Sequence, residues 1–189
     1  MLTYHNDVEL KRKIVKEMKL HQEQDQFIKG KYGKINGTFK GCAVGCAIDS
    51  FNRKLDKDYN YEGHEYFEEA IGVPEWVARV QDTLYEGLLE EDNSQFAVDM
   101  LEAIPVGKNL EKVKWEFCVF ILKENIERVL SLDIDNKLKE QVVSAIRGCL
   151  SLHENAVKTG EWDKSAASAA WSAAYKRYAK EFIRLLRLA

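Results

Sequence analysis

The segment GCAVGCAIDSF, residues 41–51, decides the fold. It consists largely of glycine, alanine and cysteine, and such small side chains let neighbouring helices approach closely. We therefore predict a buried helix here. The preceding residues 30–38, GKYGKINGT, are rich in turn-forming residues and predict a loop. Further upstream, apolar residues recur at near-helical intervals within a charged stretch and predict an amphipathic helix over residues 7–29.

Downstream of this segment, helix start and stop signals divide the rest of the chain. They predict helices over residues 74–89, 92–103, 109–130 and 135–158, and a last helix from residue 161 to the end. Pro74 suits the first turn of a helix, and residues 92–94 (DNS) supply N-cap candidates. No strand pattern appears. We therefore predict an all-α fold, a single-domain bundle of seven to eight helices over residues 1–189.

A long alanine-rich helix is predicted at the C-terminus. Its apolar face consists of Ala167, Trp171, Ala174, Tyr178, Phe182 and Leu185, at spacings of three and four residues. Alanine has the highest helix propensity, and its small side chain permits close helix packing. This face predicts packing against the bundle or against a second copy of the chain, which would give a homodimer through the C-terminal helix.

The composition is that of an ordinary globular protein. The chain has 189 residues, of which 46% are hydrophobic, and a net charge of −3, which argues against nucleic acid as a partner. No apolar run approaches the ~18 residues needed to span a membrane. The start of the chain lacks a basic stretch followed by an apolar one, so we expect a cytoplasmic protein without a membrane partner. Cys118 and Cys149 lie in apolar helical patterns and are predicted to be buried.

Charge is distributed unevenly along the chain. Residues 54–102 hold three basic and fourteen acidic side chains, whereas residues 8–40 hold nine basic and four acidic ones. These stretches could neutralise each other in the fold or simply be solvated. Alternatively, the acidic stretch could form a surface for a basic partner, which would speed association more than it sets specificity.

A candidate anion-binding segment covers residues 29–46. It holds five of the eleven glycines and four lysines without an acidic residue. A flexible basic loop that leads into a helix N-terminus can bind phosphate through free backbone N–H groups. On the helix after residue 74, an indole could stack on a ligand and a guanidinium could bind its phosphate or carboxylate. The candidate ligand-binding residues are Lys34, Thr38, Lys40, Gly41, Cys42, Gly45, Trp76 and Arg79. Neither established phosphate-loop motif is present, so a purely structural loop stays open as the alternative.

Candidate metal ligands are few. Cys42 and Cys46 are four residues apart and would share a helix face, but two sulfurs do not complete a zinc site. His64 and Glu68 have the same spacing, without the second histidine of the H-E-x-x-H motif. We therefore expect no metal and no cofactor, with His64 and Glu68 as the weak candidates.

Three segments and the tail form a recognisable set: FKGCAVGCA at residues 39–47, GVPEWVAR at 72–79 with YEGL at 85–88, AIPVG at 103–107 and SAAW at 168–171. Together they resemble an uncharacterised family of small proteins from phages, prophages and bacterial genomes. The resemblance covers roughly residues 36–175. It implies a mobile-element accessory protein of the counter-defence type, which acts on host or defence machinery by binding, and it implies no assigned activity.

Function is predicted as binding, because no catalytic constellation is present and no catalytic residue can be named. The first hypothesis is a non-enzymatic protein that captures a small anionic ligand, such as a nucleotide signal, or a host protein. One alternative is a metal-dependent hydrolase that uses His64, Glu65 and Glu68 with Cys42 or Cys46. Another is an acidic protein that mimics DNA and so inhibits a DNA-binding partner.

Overall fold

Helices dominate the part of the chain that the computed structural model describes, residues 1–168. The elements are α1 (Val8–Glu23), β1 (Tyr32–Ile35), β2 (Thr38–Gly41), α2 (Ala43–Leu55), α3 (Tyr66–Ile71), α4 (Glu75–Gly87), α5 (Glu90–Ala103), α6 (Glu111–Ser131) and α7 (Asn136–Thr159), after a 3-10 helix over Thr3–Asn6. The predicted all-α class is confirmed, and within residues 1–168 the seven α-helices and the 3-10 helix agree with the predicted number. The chain divides into two compact units, Met1–Asn109 and the part from Leu110 onward.

A β-hairpin occupies the segment that was predicted to be a loop, so the expectation that no strand is present is wrong there. β1 and β2 pair antiparallel around Asn36 and Gly37, whose φ angles are 51° and 82°. Positive φ at both central residues is the geometry of a two-residue type I′ turn, for which Asn-Gly is the preferred sequence. Helix α1 ends at Glu23 rather than at residue 29, because Asp25 has a φ of 51° and Phe27 bridges to Gly41.

Helix α2 is buried as predicted, and it forms the centre of the first unit. Every residue from 43 to 51 is buried. The Cys42 Sγ caps the helix by accepting a hydrogen bond from the Gly45 N–H at 3.5 Å. A Cβ at Gly45 would lie 3.3 Å from the Tyr32 Cβ, so the absence of a side chain there lets the hairpin lie directly on the helix. The Phe51 ring meets the Phe67 ring edge-on at 5.1 Å, which joins α2 to α3.

The N-terminus closes the first unit against the end of α5. The Thr3 N–H donates to the Lys108 carbonyl at 3.1 Å, and the Gly107 N–H donates to the Thr3 carbonyl at 2.9 Å. The buried Tyr4 hydroxyl donates to the Leu101 carbonyl at 2.6 Å. These hydrogen bonds join residues 3–4 to residues 101–108, and they satisfy backbone N–H and C=O groups of both segments.

The second unit is built on α6 and α7, which pack against each other. The Trp115 ring stacks on the Trp162 ring at 5.1 Å. Cys118 is half-buried and Cys149 is exposed, so the prediction that Cys149 is buried is wrong. Across residues 1–168, no helix is both long enough and apolar enough to span a membrane. Of the predicted alanine-rich face, only Ala167 is described, and it is buried. The rest of the face and its dimer contact fall beyond residue 168, outside the described residues.

Candidate functional site

The hairpin has two chemically different faces. Lys34 is paired with Phe39, and Lys40 is paired with Gly33. Paired residues of an antiparallel ladder point to the same side of the sheet, and successive residues alternate between the two sides. Lys34 therefore shares a face with Phe39, and Lys40 lies on the other face. The Phe39 ring packs 4.9 Å from the Tyr61 ring, so its face is the one turned toward the core.

An open cleft of about 720 Å³ lies between residues 25–31, the Lys40 face of the hairpin and the start of α5. The charged residues that line it are Asp25, Lys29, Lys31, Lys40, Glu90 and Glu91. Phe27, Ile28 and Ile35 add apolar surface. Small-molecule sites occupy roughly 300–1,000 Å³ and combine apolar walls with a few polar groups, so this cleft is the candidate binding site.

The three lysines of the cleft differ in what already binds them. Lys29 Nζ donates to two backbone carbonyls at the C-terminal end of α4 and so satisfies acceptors that lack a partner within the helix. Lys40 Nζ lies 3.2 Å from the Asp25 carboxylate, whose side chain is 95% exposed. An exposed ion pair contributes little free energy, so a ligand anion can replace Asp25. Lys31 has no ion pair within residues 1–168.

A nearly buried amide faces the same cleft. Asn93, in the second turn of α5, is 6% exposed and lines the cleft beside Ser94. In the described part of the chain, the Asn93 side chain has no hydrogen-bond partner. Its amide atoms reach solvent, so a ligand in the cleft can replace the water that hydrates them.

The predicted anion-binding residues are only partly brought together. Lys40 lines the cleft, Thr38 is exposed on the same hairpin face, and Lys34 is on the opposite face. Gly41 and Gly45 are buried where the hairpin lies on α2. The backbone at the start of α2 is also occupied, because the Cys42 N–H donates to the Lys31 carbonyl at 3.1 Å.

Trp76 and Arg79, the predicted stacking and guanidinium residues, lie on α4 and outside the cleft. The Arg79 Nε donates to the Glu75 carboxylate at 2.7 Å, and the Arg79 side chain is 61% exposed. Trp76 is half-buried, and its Nε1 is a buried donor without a hydrogen-bond partner. Neither Trp76 nor Arg79 lines the cleft.

The residues proposed for a hydrolase are only partly brought together, because Cys42 and His64 both lie beside Asp82, whereas Glu65, Glu68 and Cys46 have other surroundings. Glu68 accepts a hydrogen bond from the Glu75 N–H at 3.0 Å and so caps α4, while Glu65 is exposed. Cys46 is fully buried, and burial raises the pKa of its thiol well above the ordinary range. His64 Nε2 instead lies 3.1 Å from Asp82 Oδ2.

A different set of metal-ligating side chains does meet in the first unit. The Cys42 Sγ and one carboxylate oxygen each of Asp82 and Glu86 lie within 4.8 Å of one another. Sequence analysis named Cys42 and His64 but not the two α4 carboxylates. Their i, i+4 spacing on one helix was the signal that could have identified them.

A buried ion network joins α1 to α2 and was also missed. Glu17 is 3% exposed and binds both Arg53 and Lys54, each at 2.9 Å. Arg53 also binds Asp49 at 2.9 Å, and His21 Nε2 lies 3.4 Å from the same Asp49 oxygen. Both helices contribute an i, i+4 pair to this network, Glu17 with His21 and Asp49 with Arg53. Its position between two helices indicates a role in stability.

The comparisons with known proteins add no relative. No family model matches the chain, and neither a curated protein nor a solved structure matches it. The resemblance to a phage and prophage family therefore stays a prediction, and the candidate site is argued from its geometry alone.

Proposed function

We propose that the protein is a non-enzymatic binding protein that holds a small anionic ligand of nucleotide size in the cleft between the hairpin and α5. The observation that carries the proposal is the convergence of Lys31, Lys40 and the unpartnered Asn93 amide on one cleft. A nucleotide offers a phosphate to the lysines and an apolar ring face to Phe27, Ile28 and Ile35. Its exocyclic amino groups can donate to the acidic side of the cleft, which explains why the cleft carries both signs of charge.

Native mass spectrometry of the purified chain tests this proposal. The probe is a mixture of nucleoside monophosphates, nucleoside triphosphates and cyclic mononucleotides. We expect a one-to-one adduct that Lys40→Glu abolishes. Lys34→Glu is the matched control, because it makes the same charge change on the same hairpin but on the face away from the cleft.

Two results would overturn the proposal. One is the absence of any adduct from the mixture. The other is an adduct that Lys34→Glu weakens as much as Lys40→Glu, because general electrostatic attraction would then account for it. Turnover of a bound nucleotide would retain the site but contradict the non-enzymatic role.

A second candidate function is capture of a basic host protein by an acidic surface at the turn between α4 and α5. Glu86, Glu90, Glu91 and Asp92 are exposed there, and none forms an ion pair with lysine or arginine within residues 1–168. A cytoplasmic, mobile-element accessory protein that acts as a homodimer would suit either function. Glu90→Lys with Glu91→Lys should abolish binding to a basic partner, whereas a DNA-mimicking role would also require competition by duplex DNA.

A further inference from the structure

Three side chains with metal-binding atoms converge beside α2, away from the lining of the cleft. Cys42 is the N-cap of α2, and Asp82 and Glu86 lie one turn apart on α4. Their ligand atoms all lie within 4.8 Å of one another. Cys42 and Asp82 are half-buried, and Glu86 is exposed, so the cluster lies at the protein surface with access to solvent.

The cluster concentrates negative charge that the protein does not neutralise. Within the described residues, Asp82 pairs only with His64, and Glu86 accepts a hydrogen bond from the Gly30 N–H at 3.0 Å without a lysine or arginine partner. Proximity of these groups is therefore unfavourable in the free protein, and a bound cation would make it favourable.

A buried hydroxyl beside the cluster independently indicates a missing partner. Tyr85, next to Glu86 on α4, is fully buried, and its hydroxyl has no hydrogen-bond partner in the described chain. Tyr85 follows Asp82 by three residues on α4 and directly precedes Glu86, so its side chain neighbours that of Asp82 on the helix surface. Buried hydroxyls without a partner are rare, and a bound ion with its water supplies such a partner.

We propose that Cys42, Asp82 and Glu86 bind one divalent cation of the zinc type, with Asp82 held in orientation by His64. A thiolate combined with carboxylates favours zinc or cobalt over magnesium and calcium, which take oxygen ligands alone. Zinc–ligand distances of about 2.0–2.3 Å place tetrahedral ligand atoms roughly 3.5 Å apart, so side-chain adjustments of about 1 Å close the site. Three protein ligands leave the fourth position to water.

The metal site uses other side chains than the proposed nucleotide cleft. None of the Cys42, Asp82 and Glu86 side chains lines the cleft, although Lys29 of the cleft donates to the Glu86 carbonyl and the Lys31 carbonyl accepts from the Cys42 N–H. The Co²⁺ titration and the nucleotide titration have separate readouts, so failure of one proposal is distinguishable from failure of the other.

Titration of the reduced, chelator-treated full chain with Co²⁺ tests the proposal, because a cysteine thiolate bound to Co²⁺ produces a near-ultraviolet charge-transfer band. We expect this band to saturate at one ion per chain and to disappear on addition of Zn²⁺. Cys42→Ser should abolish it, and serine keeps the N-cap because its hydroxyl is a good capping group. Cys149→Ser, at an exposed thiol, is the matched control and should leave the band intact.

The carboxylates and His64 are tested by affinity. Asp82→Asn and Glu86→Gln should each weaken Co²⁺ binding by about tenfold or more, and His64→Ala should weaken it by about tenfold while the band persists. Glu23→Gln, at an exposed acid at the end of α1, should bind Co²⁺ like the wild type. Far-ultraviolet circular dichroism confirms that each variant is folded.

A measurement on the unmodified chain covers the case in which variants fail to fold. Zn²⁺ should protect Cys42, but not Cys149, from maleimide labelling, as read by peptide mass spectrometry. The proposal is overturned if Co²⁺ gives no thiolate band in the wild type, or if Zn²⁺ leaves the labelling of Cys42 unchanged. A band that survives Cys42→Ser would also overturn it.

Discussion

Lys34 and Lys40 point to opposite faces of the β-hairpin, although both belong to the same basic, glycine-rich segment. The register pairs Lys34 with Phe39 and Lys40 with Gly33, which separates the two lysines by one step of the pleat. Only Lys40 lines the cleft. The two side chains therefore have the same charge and lie on the same hairpin, but they differ in access to a ligand.

Alanine substitutions on the hairpin should separate these two lysines. Lys40→Ala should weaken nucleotide binding by about tenfold, because a hydrogen bond to a charged group contributes about 1.5–3 kcal/mol. Lys34→Ala should leave the dissociation constant within about twofold, since an exposed charge outside the cleft contributes little. Isothermal titration calorimetry measures both constants. Equal losses in the two variants would contradict the placement of the ligand on the Lys40 face.

Glu17→Gln should destabilise the first unit. Glu17 is 3% exposed and holds both Arg53 and Lys54, so its loss leaves two cations without their buried partner. Because the Arg53 and Lys54 side chains stay 47% and 41% exposed, water compensates in part. We expect a loss of about 2 kcal/mol in the free energy of unfolding, below the 3–5 kcal/mol of a fully buried pair.

Urea unfolding measures this loss, with Glu9→Gln as the matched control. Glu9 also forms an ion pair within the first unit, with Arg12, but both side chains are more than half exposed. We expect no measurable change for Glu9→Gln. A similar effect of the two substitutions would show that burial of Glu17 does not matter.

The free energy of unfolding should decrease as the pH is lowered below about 6.5, because of His21. Burial lowers the pKa of His21 below its ordinary value of 6.5, and this effect outweighs the Gln26 hydrogen bond and the Asp49 carboxylate, which both raise it. The unfolded chain therefore binds a proton at a higher pH than the folded chain does. The stabilisation from neutral His21 is complete above about pH 6.5 and is lost as the pH falls from there toward the lower folded pKa.

Urea unfolding between about pH 7 and pH 5.5 measures this slope, which can reach about 1.4 kcal/mol per pH unit for one proton. His21→Gln should remove the part of the slope that His21 contributes. His153→Gln is the control, since within residues 1–168 His153 bonds to the Cys149 carbonyl and contacts the Trp115 and Trp162 rings, without an ion pair. An unchanged slope in His21→Gln would assign the pH dependence to other groups.

Two glycines with the same backbone conformation should respond differently to alanine. Gly30 and Gly72 both have a φ of +63°, but a Cβ at Gly72 would overlap the Leu2 carbonyl oxygen, whereas a Cβ at Gly30 meets nothing within 4 Å. Gly30→Ala should cost about 1–2 kcal/mol for the left-handed conformation alone. Gly72→Ala should cost more, because the backbone of the N-terminal segment must move. Thermal and urea unfolding compare the two, and equal costs would exclude the overlap as a cause.

Much of the helical architecture was predictable because it depends on local patterns. The burial of residues 43–51 followed from their small and apolar side chains, and α4 begins directly after Pro74 as expected. The hairpin was missed because its glycines and lysines mask the alternation of a strand. The Asn-Gly pair at its turn was the local signal, since Asn36 and Gly37 both adopt positive φ.

The candidate sites depended on contacts that sequence spacing does not reveal. The acidic stretch 54–102 is not one uniform surface, because Glu69, Glu75 and Glu102 each bind a lysine or arginine. Within that stretch, Asp82 and Glu86 meet Cys42, some forty positions earlier in the chain.

The sequence by itself determined most of the helices, the burial of α2 and the position of the basic segment, because hydrophobic periodicity and turn chemistry act over a few residues. Only the tertiary structure decided which of these residues share a site. The pleat of the hairpin places Lys40 in the cleft and Lys34 outside it, and the packing of α4 beside α2 brings two carboxylates to a cysteine. Such contacts between distant residues depend on the register and orientation of packed elements. Long-range contacts determine both of these, whereas local sequence patterns do not.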